Sequence, residues 1–254
     1  MEPFFFDPDQ LARLADAKRD AYLSAQPFRH AVIDGLVPEA VAETLLGEFP
    51  RPADVEWWEF DSDKERKLAS PDERVMGPFT RLVLAQFNSA AFIGFLESLT
   101  GITGLVPDPL YFGGGLHQIR RGGFLKIHAD FNRHPVTQLH RRLNVLLYLN
   151  KGWQDSYGGH LELWDRDMSA CRARIAPVFN RAVVFDTGRY SYHGHPEPLA
   201  CPESETRKSL ALYYYTAAAG ENEPEDVHNT LFQQPGGPAA RARRAAKRVL
   251  SHWR

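Results

Sequence analysis

Residues 124–149 have the sequence FLKIHADFNRHPVTQLHRRLNVLLYL. It contains two short β-rich runs, Phe124–Ala129 and Leu143–Leu149, separated by polar residues and a proline. Short runs bounded by turn-forming residues are typical of the strands of a sandwich or barrel. Six further runs share this pattern: Tyr111–Ile119, His160–Trp164, Arg174–Pro177, Ala182–Phe185, Tyr190–His193 and Ser209–Thr216. Eight such runs predict a double-sheet jelly roll.

The first hundred residues have helical patterning instead. Asp7 followed by Pro8 is a helix start, because aspartate caps the first turn and proline suits its first position. Apolar residues recur at helical spacing in 10–25, 34–48 and 79–99, with a short strand predicted at Ala31–Ile33. We therefore expect helices within 8–48 and 78–99 to cover one sheet. The fold class is α+β, mainly β.

The chain shows no internal repeat, so we expect one domain with three parts. Residues 1–109 form a helical support region, 110–218 the jelly-roll core, and 219–254 a C-terminal extension. Residues 50–77 are polar and interrupted by proline and aspartate, yet contain Trp57, Trp58 and Phe60. Long connections of this kind often form lids, so we expect this one to cover a site.

The composition is that of an ordinary globular protein. The 254 residues are 43% hydrophobic and 24% charged, and the two cysteines, Cys171 and Cys201, form no CxxC motif. No apolar run approaches the roughly 20 residues of a membrane span, and the N-terminal sequence does not resemble a signal peptide. We therefore expect a cytoplasmic protein that does not bind membranes.

The charge distribution argues against nucleic-acid binding. The net charge is −2, although residues 241–254 contain six basic and no acidic residues. The rest of the chain is therefore acidic and suits a nucleic-acid partner poorly. The basic tail is either a solvated terminal helix or an arm for an acidic partner, and the sequence leaves both open.

The triplet His128-Ala129-Asp130 is a candidate metal-binding motif. Residues two apart on a strand project to the same face, so one imidazole and one carboxylate would converge. This is how a site of two histidines and one carboxylate begins, although the triplet is also compatible with a buried hydrogen-bonded pair. His193, at the end of another predicted strand, is the candidate third ligand. His195 is an alternative to it.

Arg207 is the candidate anion-binding residue. It precedes the run Ser209–Thr216, and its guanidinium suits a carboxylate because the two groups can form paired hydrogen bonds. An arginine there would anchor an anionic co-substrate beside the metal.

This combination resembles the iron(II)- and 2-oxoglutarate-dependent dioxygenases, and more closely their prolyl-4-hydroxylase-like branch. Residues 111–217 contain the similar segments in order, among them the strand that ends at Asn150, the sequence GGHLELW from Gly158, and the histidine and arginine segments. Phe28–Leu36 also resembles bacterial members.

The resemblance implies roles for individual residues. His128, Asp130 and His193 match the iron ligands, and Arg207 matches the residue that binds the distal carboxylate of 2-oxoglutarate. Tyr148 matches a tyrosine that donates its hydroxyl to that carboxylate. Gln118 falls where relatives place a polar residue near the other end of the co-substrate.

The implied activity is hydroxylation of an aliphatic C–H bond, coupled to conversion of 2-oxoglutarate and dioxygen to succinate and carbon dioxide, with ascorbate as a candidate reductant. An aspartate at 130 favours hydroxylation over halogenation. The resemblance favours a prolyl residue in a peptide as substrate. Two alternatives stay open: the same chemistry on a free amino acid or small metabolite, and a jelly-roll binding module without catalysis.

Overall fold

The computed structural model describes residues 4–220 and 226–234. The predicted tail at 241–254 lies outside these residues. The helices are α1 (Pro8–Ser24), α2 (Glu39–Glu48), α3 (Pro78–Phe87) and α4 (Ala90–Thr100). The strands are β1 (His30–Asp34), β2 (Trp58–Asp61), β3 (Glu65–Ser70), β4 (Val106–Pro107), β5 (Gly115–Ile119), β6 (Phe124–Ala129), β7 (His140–Tyr148), β8 (Leu161–Trp164), β9 (Cys171–Ile175), β10 (Arg181–Asp186), β11 (Tyr192–His195), β12 (Arg207–Thr216) and β13 (Leu231–Phe232).

The helices begin where the sequence provides caps. The Asp7 carboxylate accepts hydrogen bonds from the backbone N–H groups of Asp9 and Gln10, and Pro8 is the first residue of α1. Ser89 caps α4 by accepting from the N–H of Phe92. Among the described helices, no single one is long and apolar enough to span a membrane. Only α3 and α4 taken together, across the bend between them, have the length and composition of a span.

All strand pairs in the described residues are antiparallel, and the strands follow the order β1-β10-β7-β12-β5-β3-β6-β11-β8-β9. Alternate side chains of β7 and β12 face opposite ways. One set packs in the main core beside the helices and consists of Leu143, Val145, Leu147, Leu210, Leu212 and Tyr214. The intervening side chains face the interior between the sheets. The predicted jelly roll with helices covering one sheet is confirmed.

The expectation that residues 50–77 form one long connection is wrong. Residues 58–70 fold into the β2–β3 hairpin, and β3 pairs with both β5 and β6. Ser62 stabilises its turn by accepting hydrogen bonds from the N–H groups of Lys64 and Glu65. The hairpin has few buried side chains, so its polar sequence lacks the apolar alternation that would have revealed two strands.

The sheet also includes strands from outside the predicted core. Strands β1, β2, β3 and β4 come from residues before 110, and β13 comes from the C-terminal extension and pairs with β6. The boundaries proposed at 109 and 218 therefore do not coincide with a break in the sheet.

Gly115 at the start of β5 provides a test of this packing. Its φ is +81°, and an added Cβ would press on the carbonyl oxygen of Ser70 and lie 3.0 Å from the Cα of Pro71. We expect Gly115→Ala to lower the free energy of unfolding by more than about 2 kcal/mol, since left-handed strain alone costs about 1–2 kcal/mol. The measurement is urea denaturation. Gly122→Ala is the control: its φ is +77° but nothing lies within 4 Å. Equal losses in the two variants would contradict the close packing of β3 on β5.

Candidate metal and co-substrate site

The predicted ligands come together where β6 and β11 pair. His193 lies directly opposite His128 in this ladder, and Asp130 follows the end of β6. The two oxygens of the Asp130 carboxylate each lie 3.5 Å from one Nε2 atom, Oδ1 from that of His128 and Oδ2 from that of His193. The ligand atoms of all three residues lie within 4.8 Å of one another. The structure therefore forms a three-residue cluster rather than an isolated His–Asp pair.

Backbone carbonyls fix the orientation of both imidazoles. The Nδ1 atom of His128 lies 2.9 Å from the carbonyl oxygen of Lys126, and that of His193 lies 2.8 Å from the carbonyl oxygen of Ser191. A carbonyl only accepts hydrogen bonds, so each Nδ1 must be the protonated nitrogen. Each Nε2 is then left with a free lone pair, the form that binds a metal. Burial also lowers the pKa of His193, to about 4.

Asp130 is held as an anion by its neighbours. Asn144 donates a hydrogen bond from Nδ2 to Oδ2 of Asp130 at 2.8 Å, and Nη2 of Arg141 lies 3.2 Å from the same oxygen. Burial alone would raise the pKa of Asp130, but the charge of Arg141 keeps it well below its usual value. A metal ion held by two imidazole nitrogens and one carboxylate would keep coordination positions open for other ligands. This set of ligands suits Fe(II).

Arg207 and Tyr148 form a second polar group. Arg207 is only 5% exposed; its Nε donates to the carbonyl oxygen of Gly159 at 2.7 Å, and its Nη2 donates to the hydroxyl of Tyr148 at 3.1 Å. Because the Tyr148 oxygen accepts from Arg207, its own proton is free for another acceptor. Burial raises the pKa of Tyr148 despite the nearby cation, so the hydroxyl remains a donor. Both groups are thus ready to bind a carboxylate.

Gln118 was assigned to the other end of the co-substrate, but its side chain does not face the interior between the sheets. Its neighbour on the same face of β5, Leu116, packs in the core beside the helices, and Gln118 itself donates to the carbonyl oxygen of Pro50 at 3.3 Å. The assignment of Gln118 to the co-substrate is therefore corrected. His117 is on the opposite face, where the charges of Lys67 and Arg207 act on it.

A cavity of about 410 Å³ opens beside the ligands. His128 and Asp130 lie in its wall, and the aromatic side chains of Trp58, Phe60 and Phe131 line it. The predicted role of 50–77 as a cover is consistent with this placement for Trp58, which is 52% exposed. Trp57 points away and stacks on Phe49 in the core, so its assignment to the site is corrected. Adjacent strand residues face opposite ways, so only one of the two could line the cavity.

Several residues of this cavity were missed by the sequence analysis. Lys67 and Glu65 face it from β3 and pair at 3.0 Å, and Arg141 packs against the ring of Tyr213. Phe232 reaches it from β13, with its ring centroid 5.6 Å from that of His128. In β3, alternate residues Glu65, Lys67 and Ala69 share the face that lines the cavity. This alternation could have identified them only if residues 65–70 had first been predicted to be a strand. Nothing in the sequence around residue 232 indicated a return to β6.

Comparisons with known proteins bear on the family resemblance and on the fold. The sequence model described as the 2OG-Fe(II) oxygenase superfamily matches residues 114–215, which confirms the resemblance. The chain has a fold similar to that of a prolyl-4-hydroxylase from Pseudomonas putida, at 19% identity and a TM-score of 0.55, covering 80% of this chain and 99% of the other. No curated protein matches the chain.

Two further solved structures share the fold. A prolyl hydroxylase from Trichoplax adhaerens, in complex with a hypoxia inducible factor oxygen degradation domain peptide fragment, has 17% identity and a TM-score of 0.55, covering 82% of this chain and 91% of its own. HygX from Streptomyces hygroscopicus, with nickel, 2-oxoglutarate and hygromycin B bound, has 11% identity and a TM-score of 0.50. The match covers 90% of this chain and 95% of HygX. At these identities the likeness concerns the fold.

The first test of the site is metal binding. We expect the protein to bind one equivalent of Fe(II) under anaerobic conditions, measured by calorimetry. We expect His193→Ala to reduce this affinity by more than about tenfold, because loss of a ligand should exceed the loss of an outer-shell partner. His30→Ala is the control, since its Nδ1 also lies 2.9 Å from the carbonyl two residues before it, but no carboxylate cluster of the described residues adjoins it. Undiminished Fe(II) affinity in His193→Ala would remove His193 from the ligand set.

The second test is co-substrate binding to the metal-loaded protein. We expect Arg207→Ala to weaken 2-oxoglutarate binding by about 2–5 kcal/mol, because a buried cation and its carboxylate partner are separated. Tyr148→Phe should cost about 0.5–1.5 kcal/mol, the value of one neutral hydrogen bond. Arg172→Ala is the control, since Arg172 is exposed, pairs with Asp165 at 2.7 Å and does not line the cavity beside the ligands. If Arg207→Ala bound 2-oxoglutarate as the unmodified protein does, the assignment of Arg207 would be wrong.

Proposed function

Because residues 114–215 match the 2OG-Fe(II) oxygenase superfamily, we propose that the protein hydroxylates an aliphatic C–H bond of its substrate at the site described above. Two features of the structure support this most directly. The ligand atoms of His128, Asp130 and His193 lie within 4.8 Å of one another, and the same chain holds Arg207 hydrogen-bonded to Tyr148. If the His–Asp–His cluster had only a structural role, the chain would not need the Arg207–Tyr148 pair, and the converse also holds. Their combination supports a catalytic site over a jelly-roll binding module without catalysis.

Iron(II) with 2-oxoglutarate and dioxygen would supply the oxidising chemistry, in which one oxygen atom enters succinate and the other enters the substrate hydroxyl, with release of carbon dioxide. The three ligands His128, Asp130 and His193 would hold the metal. Arg207 and Tyr148 would bind the distal carboxylate of 2-oxoglutarate and fix its orientation. Ascorbate as a reductant remains a proposal from the resemblance.

The chain's own residues would keep water away from the reacting groups. On the inner side of the site, the His193 ring packs against Phe185, with centroids 4.7 Å apart. Phe185 belongs to a buried apolar cluster with Tyr148, Leu161 and Leu163. On the outer side, β13 and the β2–β3 hairpin border the cavity. The apolar wall lowers the local dielectric and strengthens the contacts of Arg207 with a carboxylate.

We propose a prolyl residue in a peptide as the first candidate substrate. Support comes from the resemblance to the prolyl-4-hydroxylase-like branch and from the aromatic side chains of Trp58, Phe60 and Phe131, which suit a compact apolar ring. The second candidate is a free amino acid or small metabolite. It is favoured by the size of the cavity, about 410 Å³, which Phe232 and the β2–β3 hairpin help to line.

A product screen distinguishes these candidates. The Fe(II)-loaded protein is incubated with 2-oxoglutarate and dioxygen in the presence of proline-containing peptides or of free amino acids and metabolites. The expected outcome is a mass increase of about 16 in one substrate class, with succinate formed in equal amount. Succinate formation that depends on neither Fe(II) nor His128 would contradict the proposed function.

Two tryptophan variants then test the substrate side of the cavity. We expect Trp58→Ala to reduce hydroxylation strongly while 2-oxoglutarate affinity stays within about twofold, roughly 0.4 kcal/mol. Trp57→Ala is the matched control, which should lower the free energy of unfolding by up to about 3 kcal/mol because Trp57 packs against Phe49 in the core. Normal hydroxylation by a folded Trp58→Ala variant would exclude Trp58 from substrate binding.

A further inference from the structure

The ion pair between Glu65 and Lys67 faces the cavity beside the ligands. The two residues are two apart on β3, so they project to the same face, and Nζ of Lys67 lies 3.0 Å from Oε2 of Glu65. Both side chains line the cavity, as do His128 and Asp130. The Lys67 side chain is only 15% exposed and that of Glu65 19%. The pair therefore belongs to the wall of the cavity and not to the outer surface of the hairpin.

The other face of the same strand carries a more ordinary ion pair. Arg66, which lies between these two residues, pairs with Asp61 at 2.9 Å, and their side chains are 56% and 64% exposed. Exposed pairs contribute little to stability, and a pair taken out of water often contributes no more than apolar residues of the same size. Folding alone thus gives no reason to place Glu65 and Lys67 among aromatic side chains. A ligand that carries charge would give one.

Both groups of the inner pair have further capacity for hydrogen bonds. A lysine ammonium has three N–H donors and a carboxylate has about four acceptor positions, and the contact at 3.0 Å uses one of each. The ring of Phe60, directly opposite on β2, has its centroid 5.0 Å from Nζ and helps to hold Lys67 in place. The pair as a whole is neutral. A ligand that binds both Lys67 and Glu65 should therefore carry one negative and one positive charge.

We propose that Lys67 binds the α-carboxylate and Glu65 the α-ammonium group of a free amino acid, which is the substrate hydroxylated at this site. This inference rests on the proposed function and favours the second of the two candidate substrates. The two charged groups of an α-amino acid are attached to one carbon atom, so they can reach adjacent partners at the same time. An internal residue of a peptide has neither charge and would cover the pair with only neutral hydrogen bonds.

The rest of the cavity wall indicates the side chain of this amino acid. Trp58, Phe60 and Phe131 make that wall largely aromatic, which suits an aliphatic or other apolar side chain. With its charged end on β3, the amino acid extends its side chain toward His128 and Asp130, which lie in the same wall. The C–H bond that reacts is then on the side chain and not on the α-carbon.

The proposal is tested by substrate binding without turnover. The protein is loaded with Fe(II) and 2-oxoglutarate under anaerobic conditions and titrated by calorimetry with the apolar L-amino acids, proline included. The amide of the tightest binder, which lacks the carboxylate, and its N-acetyl derivative, which lacks the ammonium group, are titrated next. We expect each derivative to bind about 10- to 150-fold more weakly than the amino acid, the equivalent of one hydrogen bond to a charged group.

Two variants then assign the charged groups to their partners. Lys67→Met should remove the preference for the amino acid over its amide, and Glu65→Gln the preference for the amino acid over its N-acetyl derivative. Arg66→Met is the matched control on the outer face of the same strand and should keep both preferences. In all three variants the affinities for Fe(II) and 2-oxoglutarate should stay within about twofold of those of the unmodified protein.

A double variant separates binding from a structural role. Glu65→Met combined with Lys67→Met leaves no unpaired charge, so it should unfold at about the same urea concentration as the unmodified protein and lose both preferences. It takes the place of any single variant that does not fold. A large loss of stability in the double variant would indicate a structural ion pair and overturn the proposal.

The remaining outcomes are also decisive. Preferences that persist in the folded variants would exclude Lys67 and Glu65 from substrate binding. If the loaded protein hydroxylated a proline-containing peptide and bound no free amino acid, this inference would be wrong while the proposed function stood. If the protein bound neither Fe(II) nor 2-oxoglutarate, the proposed function itself would be wrong, and this inference with it.

Discussion

The antiparallel register of β6 and β11 is the constraint on which the site depends. It places His128 opposite His193, and Asp130 follows at the end of the same strand. A shift of one residue would turn one imidazole to the other face of the sheet and separate the ligand atoms. The register is itself held by the neighbours of these strands, since β8 pairs with the far edge of β11, and β3 and β13 pair with parts of the far edge of β6.

The opposite sheet provides the second half of the site by the same alternation. Tyr148 and Arg207 project inward from β7 and β12, whereas Leu147 and Leu210 project outward into the core beside the helices. The helices therefore contribute to function indirectly, because packing against them fixes which face of each strand is interior. The N-terminal helices and the C-terminal strands accordingly share one hydrophobic core.

The sequence alone predicted those elements and residues whose position depends on the local pattern of the chain. The apolar runs located all eight predicted strands, and the HxD triplet with His193 identified residues that the fold brings together. It was insufficient where position depends on pairing. Gln118 was assigned by its distance from His128 along the chain, but an uncertainty of one residue across the turn at Gly122 reverses the face of a strand. For the same reason Trp57 and Trp58 could not be told apart.

The electrostatics of the site indicate that ligand binding and folding are coupled. Asp130 is compensated by Arg141, and Lys67 by Glu65, but within the described residues Arg207 contacts a carbonyl and a phenol and no carboxylate. An uncompensated buried cation costs several kcal/mol. A carboxylate that binds to Arg207 removes that cost, and a ligand that binds only the folded state stabilises it in proportion to the logarithm of its concentration. The cation that would give the site its affinity is thus also a weak point of the unliganded fold.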